Sequence, residues 1–160
     1  MSVRLSTAGI KFGYAVESTS GTKPTTGYTY IPELKEIPEI NPEPSLLETT
    51  TLDETEFRTY IAGLKDLGSA LTFTANLTED FKEAWETLVS KYETAKASNK
   101  ATWFVVQIPG ITECWYFQGE PSSLGVPGAS VDSVLEISVY ITPTSAPETG
   151  AAPSAAPSGD

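Results

Sequence analysis

At 160 residues with a single cysteine, the chain is long enough to bury one core without metals or disulfides, and Cys114 has no partner within its own chain. Twenty-one acidic residues against ten basic ones give a formal charge of -11, which disfavours tight binding to phosphate backbones and anionic lipid. Histidine is absent, which excludes histidine triads, imidazole bases and Cys/His zinc sites, and no apolar run has the length of a signal peptide or membrane span. The expectation is a soluble protein made in the cytoplasm, with no metal and no cofactor.

In chain order, Phe12 to Glu17 is rich in aromatic and branched residues and reads as a strand, and Ser18 to Gly27 reads as a loop. From Pro32 to Pro44 four prolines remove amide donors and favour extended geometry, so this stretch is an edge strand or a strap. Between Glu33 and Glu56 eight acids face one base, Lys35, which concentrates much of the net charge there. Leu46 to Leu52 and Phe57 to Ile61 have strand composition, with Asp53 to Glu56 as the turn, and predict a long hairpin over about 46–64.

Leu71, Phe73, Ala75 and Leu77 alternate with Thr72, Thr74 and Asn76, the period of a half-buried strand. The period then changes. Phe81, Trp85, Leu88, Val89 and Tyr92 recur at spacings of three and four and predict one helix over about 78–97. Asn76 or Thr78 can cap its start, Lys96 lies near its negative end, and Asn99 suits a left-handed terminator.

Thr102 to Ile108 is almost continuously apolar and reads as a strand covered on both faces. Glu113 to Gln118 is a further strand, Gly119 to Gly128 a loop, and Leu135 to Thr142 a long last strand closed by Pro143. Residues 144–160, rich in Ala, Pro and Ser with no large apolar residue, are expected to form a flexible tail outside a domain of residues 1–143. The fold class is mainly β with one flanking helix.

Catalytic constellations are scarce. Glu113 and Glu120 beside Trp115 and Tyr116 are the best carboxylate pair for glycoside chemistry, but they read more simply as a solvated strand end beside core aromatics. Cys114 reads as a small buried hydrophobe with no base near it in sequence. Exposed Trp103, Trp115 or Tyr116 would instead suit an immunoglobulin-like or carbohydrate-binding β-domain.

The segment Glu48-Thr49-Thr50-Thr51-Leu52-Asp53, followed by Arg58-Thr59-Tyr60-Ile61-Ala62-Gly63-Leu64-Lys65-Asp66-Leu67-Gly68 and the strand Ala70 to Leu77, resembles the major tail tube proteins of long-tailed, siphovirus-type bacteriophages. The proline-containing lead Ile31 to Pro38, the strand, the helix and the closing strand follow in that family's order from Gly9 to Pro143; position 62 is Ala where proline is common. The resemblance implies a β-sandwich or half-barrel with one helix, and a non-enzymatic virion subunit that forms hexameric rings stacked into a tail tube. It implies a tape-measure protein inside the tube, tail terminator and distal tail proteins at its ends, and DNA passing through without specific binding or any membrane contact. The assembly hairpin would then present Leu47, Glu48, Thr50, Leu52, Asp53, Phe57, Arg58, Tyr60 and Ile61, and Glu113 and Glu136 are candidate acids of the lumen.

Overall fold

The structure, a computed structural model, describes residues 9–40, 44–53, 56–65 and 70–153. Its strands are β1 (Lys11–Val16), β2 (Thr29–Tyr30), β3 (Leu34–Glu36), β4 (Pro44–Glu48), β5 (Tyr60–Lys65), β6 (Leu71–Asn76), β7 (Thr102–Gln107), β8 (Glu113–Pro121), β9 (Glu136–Pro143) and β10 (Glu148–Ala151). Among the described residues there is one helix, α1 (Glu79–Ala97), and it is not apolar enough to cross a membrane. This is the expected mainly β fold with one helix.

The main sheet has the order β2-β1-β7-β8-β9-β6-β3, every pairing antiparallel, with β10 added beside β8. β2 and β3 are consecutive in sequence yet stand at opposite ends of this order, and only Ile31 to Glu33 joins them. The four steps from Tyr30 to Leu34 reach about 14 Å at most, so the sheet must curl until its ends come close. The hydrogen bonds record that curl: Ile31 N donates to Phe12 O (2.8 Å) on one edge, and Asn76 N donates to Glu33 O (2.9 Å) on the other. Glu33 takes a left-handed φ of 67° to make the crossing, and the Phe12 and Phe73 rings lie 4.8 Å apart across the seam. The proline-rich stretch is thus both the strap and the edge strand that its donor-poor backbone implied.

Inside the curl Phe12, Phe104 and Phe117 pack together, with Phe104 and Phe117 stacked at 5.3 Å. Phe81, Trp85 and Leu88 of α1 are fully buried against them, and Trp85 Nε1 donates to Ser122 O at 2.8 Å. The helix ends follow its sequence. Thr78 Oγ1 accepts from Phe81 N (3.2 Å) as the N-cap, and Asn99 adopts φ 60° just past the C-cap Ser98.

β7 is covered on both faces, as its unbroken apolar run predicts: Phe104 belongs to the main core, while Trp103 and Val105 form a second cluster with Cys114 and Tyr116. The loop after β1 and the strand β10 cover that second cluster. Tyr28 packs at 5.8 Å from Tyr116, Lys23 Nζ sits 4.3 Å from the Tyr116 ring, and Lys23 pairs with Glu148 at 3.4 Å.

Three boundaries differ from the sequence reading. β8 runs on to Pro121, through residues expected to be loop, because Gly119 lets β8 and β9 approach closely: a Cβ there would stand 2.7 Å from Ile141 Cγ2. The hairpin strands are Pro44–Glu48 and Tyr60–Lys65, with a wider connection than the expected four-residue turn. The stretch after Pro143, expected to lie outside the domain, is partly a strand: Glu148 to Ala151 pair with Tyr116 to Glu113, and Thr144 N donates to Gln118 O at 2.9 Å. Backbone ladder bonds hold β10, which hydropathy does not register. Residues 154–160 of the expected tail lie outside the described residues.

Candidate assembly surface

β4 and β5 form a two-stranded sheet separate from the main one, with Leu46 opposite Ala62, Leu47 opposite Ile61 and Glu48 opposite Tyr60. Threonines extend the ribbon beyond the strands. Thr49 N donates to Thr59 O (2.7 Å), Thr59 N donates to Thr50 Oγ1 (2.8 Å), and the hydroxyls of Thr49 and Thr59 lie 3.0 Å apart. Side-chain acceptors here replace the backbone pairing lost as the strands diverge.

What this ribbon presents is unusual for a solvated arm. Leu46, Leu47, Leu52, Phe57 and Tyr60 are all exposed, Leu52 at 106% and Phe57 at 75%. Burying such a side chain in an interface stabilises by about 1.5–3 kcal/mol, and exposed apolar clusters of this kind are where interaction surfaces are sought. Glu48 and Arg58 pair loosely across the ribbon at 3.9 Å. Asp53 is fully exposed, and hydrogen bonds from the Thr51 side chain and its own backbone hold its carboxyl below the ordinary range. The hairpin residues singled out by sequence therefore share one projection, with Ile61 located by its backbone pairing to Leu47.

Glu113 and Glu136 are not brought together. Glu113 opens β8 in phase with core-facing Phe117, whereas Glu136 opens β9 in phase with Ser138 and Tyr140 on the opposite face. Glu136 is ion-paired with Lys35. The face around it carries Thr72, Thr74, Ser138, Tyr140 and Thr142, a polar surface on β6 and β9 bordered by the loop Ser123 to Gly128.

The other readings find less support in the geometry. Trp103 and Tyr116 are buried and Trp115 is half-buried, so they form no open platform for a sugar ring. Glu120 pairs with Lys96 at 3.7 Å and Glu113 is exposed at a strand end, so neither carboxyl lies in an apolar pocket. The Cys114 thiol is buried, and burial pushes its pKa up, away from the thiolate. Among the described residues no group of three acidic or cysteine side chains converges to hold a metal.

No signal in the sequence indicated that Glu17 is buried, at 4% exposure. Its Oε1 accepts from Ala101 N (2.8 Å) and Gly21 N (3.1 Å), and its Oε2 accepts from Trp103 Nε1 (3.0 Å). It ties the loop that covers the second cluster to the start of β7.

Neither a family model nor a curated protein matches the chain. Among solved structures, the fold is similar to that of a chain in the cryo-EM structure of the anti-feeding prophage (AFP) baseplate, 6-fold symmetrised, with a TM-score of 0.64 over 94% of this chain and 98% of that one. At 9% identity, what the two chains share is the fold.

Proposed function

We propose that this chain is a self-assembling structural subunit of a phage tail tube, forming hexameric rings that stack around a channel. The observation that carries the reading is the separate hairpin with its exposed Leu46, Leu47 and Leu52, apolar side chains that another molecule can cover. The likeness to a chain of a sixfold baseplate supports it, since this curled sheet occurs there within a phage-derived assembly.

In such a ring the polar face of β6 and β9 lines the channel, and Glu136 stands on it while Glu113 does not. Glu136 repels phosphates and neutralises Lys35, and uncharged hydroxyls alone hold a phosphate backbone only weakly, so DNA slides. A tape-measure protein fills the channel before DNA does, and terminator and distal tail proteins cap the ends. The chemistry is association, and no turnover is involved.

Sedimentation velocity and negative-stain microscopy of the purified chain over a concentration series test this. Rings and then tubes of uniform diameter are the expected result; a monomer up to the solubility limit would overturn it.

A further inference from the structure

A chain of net charge -11 must offset repulsion between its copies locally, so its uncommitted cations mark where another copy can bind. Lys23, Lys35, Arg58, Lys82 and Lys96 pair with Glu148, Glu136, Glu48, Glu86 and Glu120, and Lys11 sits over the Tyr30 ring. Arg4 and the side chain of Lys65 lie outside the described residues. Lys11, Lys91 and Lys100 have no ion pair among the described residues, and of these Lys91 and Lys100 lie together.

Both lysines line one groove of about 310 Å³ between the C-terminal half of α1 and the end of β1. Its walls also include Val16, Ala95 and the hydroxyl residues Ser90 and Thr94. Lys91 Nζ lies 5.9 Å from the Tyr14 ring. Glu17 also borders the groove as a carboxylate held by Ala101, Gly21 and Trp103; it makes no ion pair with either lysine, and two lysines against one acid leave the groove net basic. The groove is therefore a small basic and apolar recess on an acidic molecule.

Its complement is the hairpin tip, where Leu52 stands wholly in solvent beside the exposed carboxylate of Asp53. We propose that the tip Leu52–Asp53 of one copy docks into this groove of another, with the Asp53 carboxylate between Lys91 and Lys100 and Leu52 against Val16 and Ala95. The inference rests on the assembly reading and names the receiving surface. Tip and groove are different patches, so the contact is heterologous and propagates from copy to copy instead of closing as a twofold dimer. It is also an electrostatic contact, weakened by salt.

Three full-length variants test it: Asp53→Lys, the double change Lys91→Glu with Lys100→Glu, and the chain carrying all three. All these side chains sit at the surface, and circular dichroism with a melting curve establishes that each variant is folded. Either reversal alone is expected to raise the concentration needed for tubes by about tenfold or more, and the combined swap to restore assembly toward that of the unmodified chain. As a measurement independent of charge effects, Asp53→Cys with Lys91→Cys is expected to give intermolecular disulfide ladders in assembled material under oxidation.

If the unmodified chain assembles but the reversals leave its critical concentration unchanged, or the swap fails to rescue and no ladder forms, the docking site is wrong and the tube reading stands. If the unmodified chain never assembles, both fall.

Discussion

Glu17 shows how much one buried carboxylate can organise. Burial alone would raise its pKa, but the hydrogen bonds from Ala101, Trp103 and Gly21 outweigh that and hold the group below its ordinary 4.5. A depressed carboxyl contributes stability above the unfolded value and loses it as the pH falls through the folded one. Acid unfolding should therefore steepen below pH 4.5. In Glu17→Gln an amide NH2 must face one of these donors, which costs about 1–3 kcal/mol at neutral pH by urea unfolding and removes that part of the acid dependence. At the alkaline end, burial pushes Tyr28 well up and Tyr116 to about 12. Both hydroxyls are donors in the fold, Tyr28 to Pro24 O and Tyr116 to Ala151 O. Their stabilisation is complete below the unfolded value of 10 and declines as the pH rises toward 12, so ultraviolet titration should show delayed tyrosine ionisation followed by loosening of β10.

Among elements, the junction of β8 and β9 is the tightest. Gly119→Ala places a methyl group 2.7 Å from Ile141 Cγ2 and 3.3 Å from Phe104 Cε2, which the packed core accommodates only by shifting. We expect a loss of about 1–3 kcal/mol, read as a fall in melting temperature of several degrees. The helix, by contrast, was readable almost residue by residue, since its period, its Thr78 cap and its Asn99 terminator are local properties of the chain. β10 was not. Its four residues bury little of themselves, and they pair with the edge of β8 away from β7, which is free there only because β9 pairs no further than Gly119 to Pro121.

For the whole molecule, the hairpin forms its own two-stranded sheet, so the proposed assembly arm and the domain's core are separable by experiment. Replacing residues 46–64 with a short Gly/Ser connection should leave the melting temperature within a few degrees while abolishing ring and tube formation in sedimentation and microscopy. Loss of folding instead would place the hairpin in the domain's own stability, contrary to its separate pairing. The hairpin and its position were legible from the threonine-rich motif and its resemblance to tail tube subunits. The exposure of its leucines was not, because periodicity alone does not distinguish a leucine turned to a core from one turned to water.

Sequence alone determined the class of the molecule: a mainly β chain with one amphipathic helix, an acidic balance, a strap of prolines and no imidazole chemistry. These follow from composition and short-range periodicity, which the backbone reads locally. Tertiary structure alone decided that the strap draws the sheet's two ends together, that Glu113 and Glu136 fall on opposite faces, that β10 closes over β8, and that Lys91 and Lys100 share a groove. Each depends on which distant segments become neighbours, and that is set by the closing geometry of the sheet.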